Sequence, residues 1–388
     1  MRIALICNDL LTVPPIRGGA IQIYVDALAS KLTGRHKPTV FAIADPDLPA
    51  QELSNGVEYL RIPKAEYVRG IAQVLSSKTF DIVVIFNRPE WLPRLKQSSP
   101  GSKFILSLHN ERLRPSMISR RLGSQAVSLS DAIVTVSDYI RQSSMQRFPA
   151  MAGKSRTLYS GVDLGRFSPW WLPANQRHRL FIRRQHGLGK DAKVFLFAGR
   201  LSPLKGLHVL LQAMPYVVRK HPSASLLVVG SRWFHDNRTN AYVRRLYQLA
   251  KPLKTNVHFT QFIAPEVIHR YYQASDILVC PSQWQEPLAR VLYEGMAVGL
   301  PIITTARGGN IERVTDRVNG WVVKSYTRPS AIASAMNALL DDSALAVRMG
   351  RIGRKMAEKE HGWDHVAQRW LNVIDQVVSA PDAAVVRQ

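Results

Sequence analysis

The chain has 388 residues, of which 46% are apolar, so it has the composition of an ordinary globular protein and enough length for two hydrophobic cores. Its two cysteines argue against a disulfide framework or a cysteine zinc site, and no apolar run reaches the roughly 18 residues of a transmembrane helix. The formal net charge of +24 favours anionic partners such as phosphates, acidic polymers, lipid headgroups or nucleic acid.

The first half of the chain has the pattern of a parallel α/β sheet. Buried strands are predicted at Arg2–Asn8, Thr39–Ala44, Phe80–Phe86, Lys103–Leu108 and Ala132–Val136. Helical patterns follow at Ile21–Leu32 and Asp138–Phe148, the second with Ser137 as its predicted N-cap. The first strand turns polar too soon for a signal peptide, which predicts a cytoplasmic protein.

Polar and glycine residues follow several of these strands. Gly18 and Gly19 lie at a loop-to-helix junction, where backbone N–H groups can approach a phosphate or a sugar; a simple tight turn is the alternative. His109 comes directly after a predicted strand, at the edge of the sheet where such folds bind ligands. Asp45 and Asp47 form an Asp-x-Asp pattern that can hold a divalent ion. That pattern is short and common by chance, so no metal site is predicted.

A boundary between two domains is predicted near residue 165. The strand–helix pattern breaks where glycine and proline accumulate, at Gly161, Gly165, Pro169 and Pro173. The predicted domains are residues 1–165 and 166–362, and a C-terminal helix at 363–388 is expected to complete the first one.

A second α/β series follows the boundary. Its predicted strands are Val194–Ala198, Leu226–Gly230, Val257–Thr260, Ile277–Val279 and Pro301–Thr305. Arg200 and Lys205 lie five residues apart in a glycine-bounded loop before a predicted helix, a good arrangement for binding a pyrophosphate. Gly308 and Gly309 predict another glycine-rich helix entry, in which Glu312 could simply complement the helix dipole.

Two glutamates lie eight residues apart at the predicted end of the fourth strand in this series. Pro287 suits the first turn of a helix, so Glu286 is predicted in the loop and Glu294 within the helix Leu288–Val298. Eight helical residues span about 12 Å. The two carboxylates could therefore hold hydroxyl groups at opposite ends of one elongated ligand, or they could be ordinary surface charges.

Together these motifs resemble the retaining glycosyltransferases of family four, which have the α/β GT-B architecture. The resemblance implies two Rossmann-like, doubly wound parallel-sheet domains facing a cleft. The segment RGGAIQIY is similar to the branch that includes spore-coat and other cell-envelope glycosyltransferases. The matching positions are Gly18-Gly19, His109, Ser137, Gly161-Val162-Asp163, Gly199-Arg200 with Lys205-Gly206, Glu286 with Glu294, and Gly308-Gly309 with Glu312.

The resemblance implies transfer of a sugar from a nucleotide-diphosphate sugar, with retention of configuration and with neither a metal nor another cofactor. A UDP-sugar is the donor expected for this chain. The catalytic residues that the resemblance implies are Arg200, Lys205, Glu286 and His109. Arg200 and Lys205 would neutralise the departing diphosphate. Glu286 would bind hydroxyls of the donor sugar, beside which His109 would lie. Glu294 would bind the ribose.

Other positions complete the donor site that the resemblance implies. Its donor-binding residues are Gly18, Gly19, Arg200, Lys205, Ile263, Glu286, Leu288, Ala289, Arg290 and Glu294. Backbone around Ile263 would read the base. Two positions depart from the family pattern, because Ala289 stands where glycine is usual and Arg290 where an apolar residue is usual. Arg290 therefore raises the hypothesis of a charged donor sugar such as a uronate.

The implied acceptor is a glycan or a lipid-linked molecule of a cell envelope or coat. The excess charge favours an anionic acceptor or peripheral contact with a membrane, so the chain is expected in the cytoplasm, at the membrane or at a spore coat. The basic residues expected to carry that contact are Arg88, Arg94, Lys96, Lys103, Arg112, Arg114, Arg120 and Arg121. The alternative, equally compatible with the sequence, is that they form an ordinary solvated basic surface.

Two other functions are compatible with parts of the sequence. The first is a catalytically silent coat or scaffold protein that binds carbohydrate or nucleotide. This function predicts nucleotide binding without turnover. Nucleic-acid binding rests on the charge alone, because no recognition motif or aromatic–basic platform is present, and it is not predicted.

Overall fold

The computed structural model describes residues 1–189, 191–233 and 236–380. The chain forms two compact units. The first consists of Met1–Tyr159 together with the chain that follows Gly362, and the second is Ser160–Gly362. Residues 381–388, in which the predicted C-terminal helix was expected to end, lie outside the described residues.

The first unit contains an eight-stranded sheet in its described residues. Its strands are β1 Arg2–Ile6, β2 Lys37–Ile43, β3 Gln51–Ser54, β4 Val57–Ile62, β5 Ile82–Phe86, β6 Lys103–Leu108, β7 Ala132–Thr135 and β8 Ser155–Thr157. They lie in the order β3-β4-β2-β1-β5-β6-β7-β8, and all neighbours are parallel except β3 and β4. The five predicted strands are confirmed; β3, β4 and β8 were not predicted.

The second unit contains a six-stranded parallel sheet in its described residues. Its strands are β9 Val194–Ala198, β10 Ser225–Val229, β11 Val257–Gln261, β12 Ile277–Cys280, β13 Ile302–Thr305 and β14 Gly320–Val323. Their order is β11-β10-β9-β12-β13-β14. The order reverses between β9 and β12, and in doubly wound sheets ligands bind beyond the strand ends at such a point.

Helices connect these strands. In chain order they are α1 Ala20–Leu32, α2 Tyr67–Ser77, α3 Leu92–Ser98, α4 Arg120–Leu129, α5 Asp138–Arg147, α6 Pro173–Gln185, α7 Leu207–Lys220, α8 Ala241–Ala250, α9 Ile268–Ala274, α10 Arg290–Val298, α11 Pro329–Asp341, α12 Ser343–Met356 and α13 Trp363–Ser379. The predicted N-cap of α5 is confirmed, because the Ser137 hydroxyl accepts a hydrogen bond from the Ile140 amide at 3.2 Å.

Two predicted helix starts are wrong. Pro287 is not in the first turn of α10, because the chain is still extended at Ala289 and the helix begins at Arg290. Gly308–Glu312 forms only a short 3-10 turn. The Gly309 amide there donates to the Glu286 carbonyl oxygen at 2.8 Å, which holds the segment against the preceding loop instead of letting it start a helix.

The last helix belongs to the core of the first unit. Trp370 of α13 is fully buried and donates a hydrogen bond from Nε1 to the Tyr24 hydroxyl at 2.6 Å. Val366 and Ile374, one turn away on either side, are buried in the same apolar cluster. The sheet of the first unit is therefore covered on this face by both α1 and α13.

We expect Trp370→Ala to lower the free energy of unfolding by about 3–5 kcal/mol, because it empties a buried site and leaves the Tyr24 hydroxyl without its donor. Urea denaturation measures this. Gln368→Ala changes an exposed residue of the same helix and should cost within about 0.5 kcal/mol. Equal losses in the two variants would contradict the packing of α13.

Candidate functional site

The site in the second unit is built where β9 and β12 end side by side. The loop after β9 carries Arg200 and Lys205, and the loop after β12 carries Glu286. The loops are joined directly, since the Gln283 amide donates to the Leu204 carbonyl oxygen at 2.8 Å. The topological switch point thus brings the two predicted cations and the first predicted glutamate to one edge of the sheet.

Two glycines allow the loops to approach this closely. Gly206 has a φ of 75°, and a Cβ there would lie 1.9 Å from the Pro281 carbonyl oxygen. Gly308 has a φ of 55°, and a Cβ there would lie 2.0 Å from the Glu286 carbonyl oxygen. Any side chain at either position would force the backbone of the Glu286 loop away.

Glu286 is a buried carboxylate with an unusually full set of partners. Lys205 Nζ lies 2.9 and 2.7 Å from its two oxygens, and these also accept from Ser282 Oγ at 2.9 Å and Trp284 Nε1 at 2.8 Å. Burial by itself would raise the pKa of Glu286, but the Lys205 charge and these hydrogen bonds together lower it below the ordinary value. Glu286 is therefore ionised at neutral pH.

Arg200 is half-buried beside this pair. Its guanidinium carbon lies 4.7 Å from the centre of the Trp233 ring, and the next residue, Leu201, donates its amide to the Ser231 carbonyl oxygen at 2.8 Å. Burial lowers the pKa of Arg200, while the nearby Glu286 charge raises it. Two cations and one carboxylate therefore share the end of β9.

Glu294 lies within α10, as predicted, and is only 7% exposed. Its carboxylate accepts a hydrogen bond from the Tyr272 hydroxyl at 2.6 Å and pairs with Arg290 at 2.9 Å. A second nitrogen of Arg290 donates to the Gly161 carbonyl oxygen at 3.3 Å. Arg290, which the sequence suggested as a contact for a charged sugar, is thus engaged with Glu294 and the start of the second unit.

The remaining predicted donor contacts of this unit lie in two separate loops, one before α10 and one after β11. The Ala289 amide donates to the Asn310 side chain at 3.0 Å, and Leu288, just before it, is half-buried. Ile263 follows β11, which is separated from β9 by β10. The amide before it, that of Phe262, donates to the Asn237 side chain at 3.0 Å.

The predicted residues of the first unit form separate features of that unit. Gly18 and Gly19 have φ angles of 86° and 103° and precede α1 directly. The Gly18 amide donates to the Pro15 carbonyl oxygen at 2.8 Å. The φ of Gly19 lies in a region that side-chain-bearing residues rarely adopt, and a Cβ there would also lie 2.3 Å from the Gln22 side-chain oxygen, so this turn favours glycine.

His109 follows β6 and is packed among aromatic rings. Its imidazole makes an edge contact with Tyr24 at 4.8 Å between ring centres, and its Nε2 lies 3.1 Å from Ser107 Oγ. Its backbone amide donates to the Asn87 side chain at 3.1 Å. Desolvation lowers the pKa of His109 to about 3, so the ring is neutral at physiological pH.

The Asp-x-Asp pattern forms ion pairs within the first unit. Asp45 and Asp47 both pair with Arg17, at 3.0 Å in the case of Asp45. Among the residues that the structure describes, no group of three or more histidine, cysteine or acidic side chains is arranged to hold a metal ion.

Several residues of the site were missed by the sequence analysis. They are Tyr272, Ser282, Trp284 and Asn310, which hold Glu294, Glu286 and the Ala289 amide in place. Ser282 and Trp284 alternate with Glu286 in one loop, and that spacing was a usable signal. Tyr272 and Asn310 come from other elements, and nothing in the sequence near the glutamates points to them.

Two doubly wound units in one chain, with charged groups at the switch point of the second sheet, define the architecture of a GT-B glycosyltransferase. Residues 18–166 match the family model described as Glycosyltransferase Family 4, and residues 178–356 match the one described as Glycosyl transferases group 1. The chain belongs to the family-four glycosyltransferases, as the sequence motifs indicated, and is a glycosyltransferase enzyme.

The curated relatives support the same family over the whole length. Spore coat protein SA of Bacillus subtilis (strain 168) is 45% identical over 377 residues, which are 97% of this chain and 100% of the relative. The putative glycosyltransferase YtcC of the same organism is 40% identical over 381 residues, which are 98% of this chain and 93% of the relative. The similarity to the spore-coat branch is thereby confirmed.

Solved structures confirm the GT-B fold. Sucrose-phosphate synthase from Thermosynechococcus elongatus superposes with a TM-score of 0.79 at 23% identity, covering 98% of this chain and 100% of that one. Anabaena HepE in complex with UDP-glucose superposes with a TM-score of 0.77 at 21% identity, covering 97% and 100%. No helix in the described ranges is long and apolar enough to cross a membrane.

The low pKa of His109 has a measurable consequence for stability. Between its ordinary pKa of 6.5 and the folded value of about 3, the unfolded chain binds a proton at His109 that the folded chain does not. The contribution of His109 to stability is therefore lost as the pH falls from about 6.5. We therefore expect the free energy of unfolding of His109→Gln to fall below that of wild type by less at pH 5 than at pH 7. Urea denaturation at the two pH values measures this difference.

Gln368→Ala, which changes an exposed residue of the same unit that does not titrate, is the control and should differ from wild type by the same amount at both pH values. An equal difference between wild type and His109→Gln at the two pH values would show that the His109 ring is not desolvated.

Proposed function

We propose that the protein transfers a sugar from a nucleotide-diphosphate sugar to an envelope or coat acceptor, with retention of configuration and without a metal. The observation that carries this proposal is the contact of Lys205 with the buried Glu286 beside Arg200, at the switch point of the second sheet. These groups combine a cationic surface for a diphosphate with an ionised carboxylate for sugar hydroxyls.

Charge stabilisation is the main catalytic effect of this arrangement. As the glycosidic bond breaks, negative charge grows on the diphosphate, and Arg200 and Lys205 would stabilise it there. Fixed cations in a site with little water act more strongly than the same charges in bulk solvent. Glu286 would accept hydrogen bonds from the sugar, while its own pairing with Lys205 fixes the position of that cation.

Glu294 would accept hydrogen bonds from the ribose hydroxyls. Tyr272 and Arg290 hold this carboxylate on its helix, so its orientation does not depend on the nucleotide. The backbone near Ile263 would read the base, and Leu288 and Ala289 would lie beside the donor. Contacts of His109 with the sugar, and of Gly18 and Gly19 with the phosphate, stay predictions for the first unit.

A front-face substitution fits the residues present. The acceptor oxygen would form its bond to the anomeric carbon on the face from which the diphosphate leaves, and a phosphate oxygen of the donor would take the acceptor proton. Neither Glu286 nor Glu294 needs to act as a nucleophile, and both are held by other side chains. Retention of configuration follows from attack on that face.

A UDP-sugar is the donor we favour. Anabaena HepE, which shares this fold, is recorded with UDP-glucose. For the acceptor we favour a lipid-linked or glycan molecule assembled at the cytoplasmic side of an envelope or at a spore coat, in view of the similarity to Spore coat protein SA.

The basic residues of the first unit are a weaker basis for membrane contact than the sequence suggested. Arg88 pairs with Asp9, Arg112 pairs with Glu90, and Lys96 donates to the Ser102 carbonyl oxygen. Lys103 lies 3.8 Å from Asp131. Internal partners thus neutralise part of the charge that was expected to meet an anionic surface.

Nucleotide binding tests the donor site directly. Thermal unfolding would be followed with UDP, GDP, ADP and their common sugars. A ligand at 100 times its dissociation constant adds about 2.7 kcal/mol to stability, which is several degrees for a unit of this size. We expect UDP to give this shift, and Glu294→Gln to abolish it because the ribose loses a charged acceptor.

Glu66→Gln, which changes an exposed glutamate of the first unit, should keep the full shift. The absence of any shift in well-folded protein would contradict the donor site. A UDP shift with no turnover of any UDP-sugar would instead favour the catalytically silent scaffold.

Lys205 is the sharpest test of the catalytic proposal. We expect Lys205→Met to lower kcat about 100- to 1,000-fold, because the protein loses one of the two cations that stabilise the leaving diphosphate. Hydrolysis or transfer would be measured with the UDP-sugar that gives the largest shift in the thermal unfolding experiment. Lys220→Met removes an exposed lysine that pairs with Asp341 and should leave kcat unchanged. A similar kcat in Lys205→Met and wild type would exclude the proposed role.

A further inference from the structure

Helix α6 (Pro173–Gln185) of the second unit carries arginines on two faces, one that packs against the unit and one that is exposed. Four arginines and no acidic residue occur in its thirteen positions. Arg179 and Arg183, one turn apart, point into the unit. Arg177 and Arg184 are exposed on the other side. Side chains three, four or seven positions apart share a face of a helix, so this division follows from the spacing.

The inward arginines attach α6 firmly to the unit. Arg179 and Arg183 both pair with Asp276, and Arg183 is buried with an ion-pair distance of 2.8 Å. Arg179 also donates to the carbonyl oxygens of Gln273 and Ser275, and Arg183 to that of Ala274. These contacts pair the two inward charges and hold α6 against α9 and the start of β12.

The outward face combines cations with large apolar side chains. Phe181 is 62% exposed and Leu180 is 40% exposed, and they lie between Arg177 and Arg184 along the helix. Leu172, just before the helix, is also exposed. Neither outward arginine forms an ion pair within the described part of the chain. Apolar side chains flanked by arginine on a surface helix are the pattern of a helix that lies in a membrane interface.

We propose that the outward face of α6 docks on a lipid bilayer that carries anionic headgroups. Arg177 and Arg184 would lie among the headgroups while Leu180 and Phe181 enter the acyl boundary. The net charge of +24 supports this occupant, because it attracts an anionic surface and repels a second copy of the same chain. The inward arginines make α6 a rigid platform that need not refold to bind. The proposal does not depend on the identity of the donor sugar.

Vesicle sedimentation with the full chain tests the proposal. At low salt we expect binding to vesicles of equal parts phosphatidylcholine and phosphatidylglycerol, and little binding to phosphatidylcholine alone. Replacing both outward arginines, Arg177→Gln with Arg184→Gln, should weaken binding about 25-fold, at roughly fivefold for each cation. Phe181→Ser with Leu180→Ser should weaken it at least as much, because the apolar contact is lost.

Control variants separate this face from bulk charge and from misfolding. Arg348→Gln with Lys355→Gln removes two exposed cations from α12, and Tyr216→Ser removes an exposed aromatic ring from α7. Both should bind vesicles nearly as well as wild type. The α6 variants should keep the wild-type unfolding temperature and UDP shift, since the changed side chains are exposed.

Three outcomes would overturn the proposal. The first is that wild type does not sediment with the anionic vesicles, and the second is that the α6 variants bind them as tightly as wild type does. If the α12 variant loses as much binding as the arginine variant of α6, the contact is a property of net charge and has no defined face.

Discussion

The ion pair between Lys205 and Glu286 is the contact on which the candidate site depends. A buried carboxylate without a partner would take up a proton, whereas here a lysine, an indole and a hydroxyl keep it charged. The pair also ties the loop after β9 to the loop after β12. Glu286 is buried and Lys205 is partly exposed, so loss of Lys205 would leave a buried carboxylate without its charged partner. The local fold and the charge distribution are therefore maintained by the same contact.

Some of the positively charged side chains have structural roles inside the units, and composition alone does not distinguish these from the cations left on the surface. Arg61 has a fully buried side chain and donates to the Val13 and Pro49 carbonyl oxygens. Arg354 similarly donates to the carbonyl oxygens of Phe167 and Ala297. Such arginines satisfy backbone groups inside each unit. Only the remaining cations, such as Arg184 on α6, can determine which surfaces the protein approaches.

The apolar strand signals were read correctly, whereas turn signals, helix starts and distant contacts were partly missed. Apolar runs bounded by polar residues identified most strands, including β9 and β12. The hairpin β3–β4 was missed although Asn55-Gly56, a dipeptide typical of tight hairpin turns, joins its strands with positive φ at both residues. Pro287 was placed in a helix on local preference, but the Ala289 amide is held by Asn310, which lies twenty-one residues further along the chain.

The sequence by itself determined that two α/β units form, and that Arg200, Lys205 and Glu286 follow strands of the second. Hydrophobic periodicity and glycine positions are local properties, so one chain is sufficient to read them. Only the tertiary structure decided that β9 and β12 are neighbours, that Lys205 therefore meets Glu286, and that Tyr272 of α9 donates to Glu294 of α10. Those contacts depend on how strands and helices pack side by side, which local pattern does not encode.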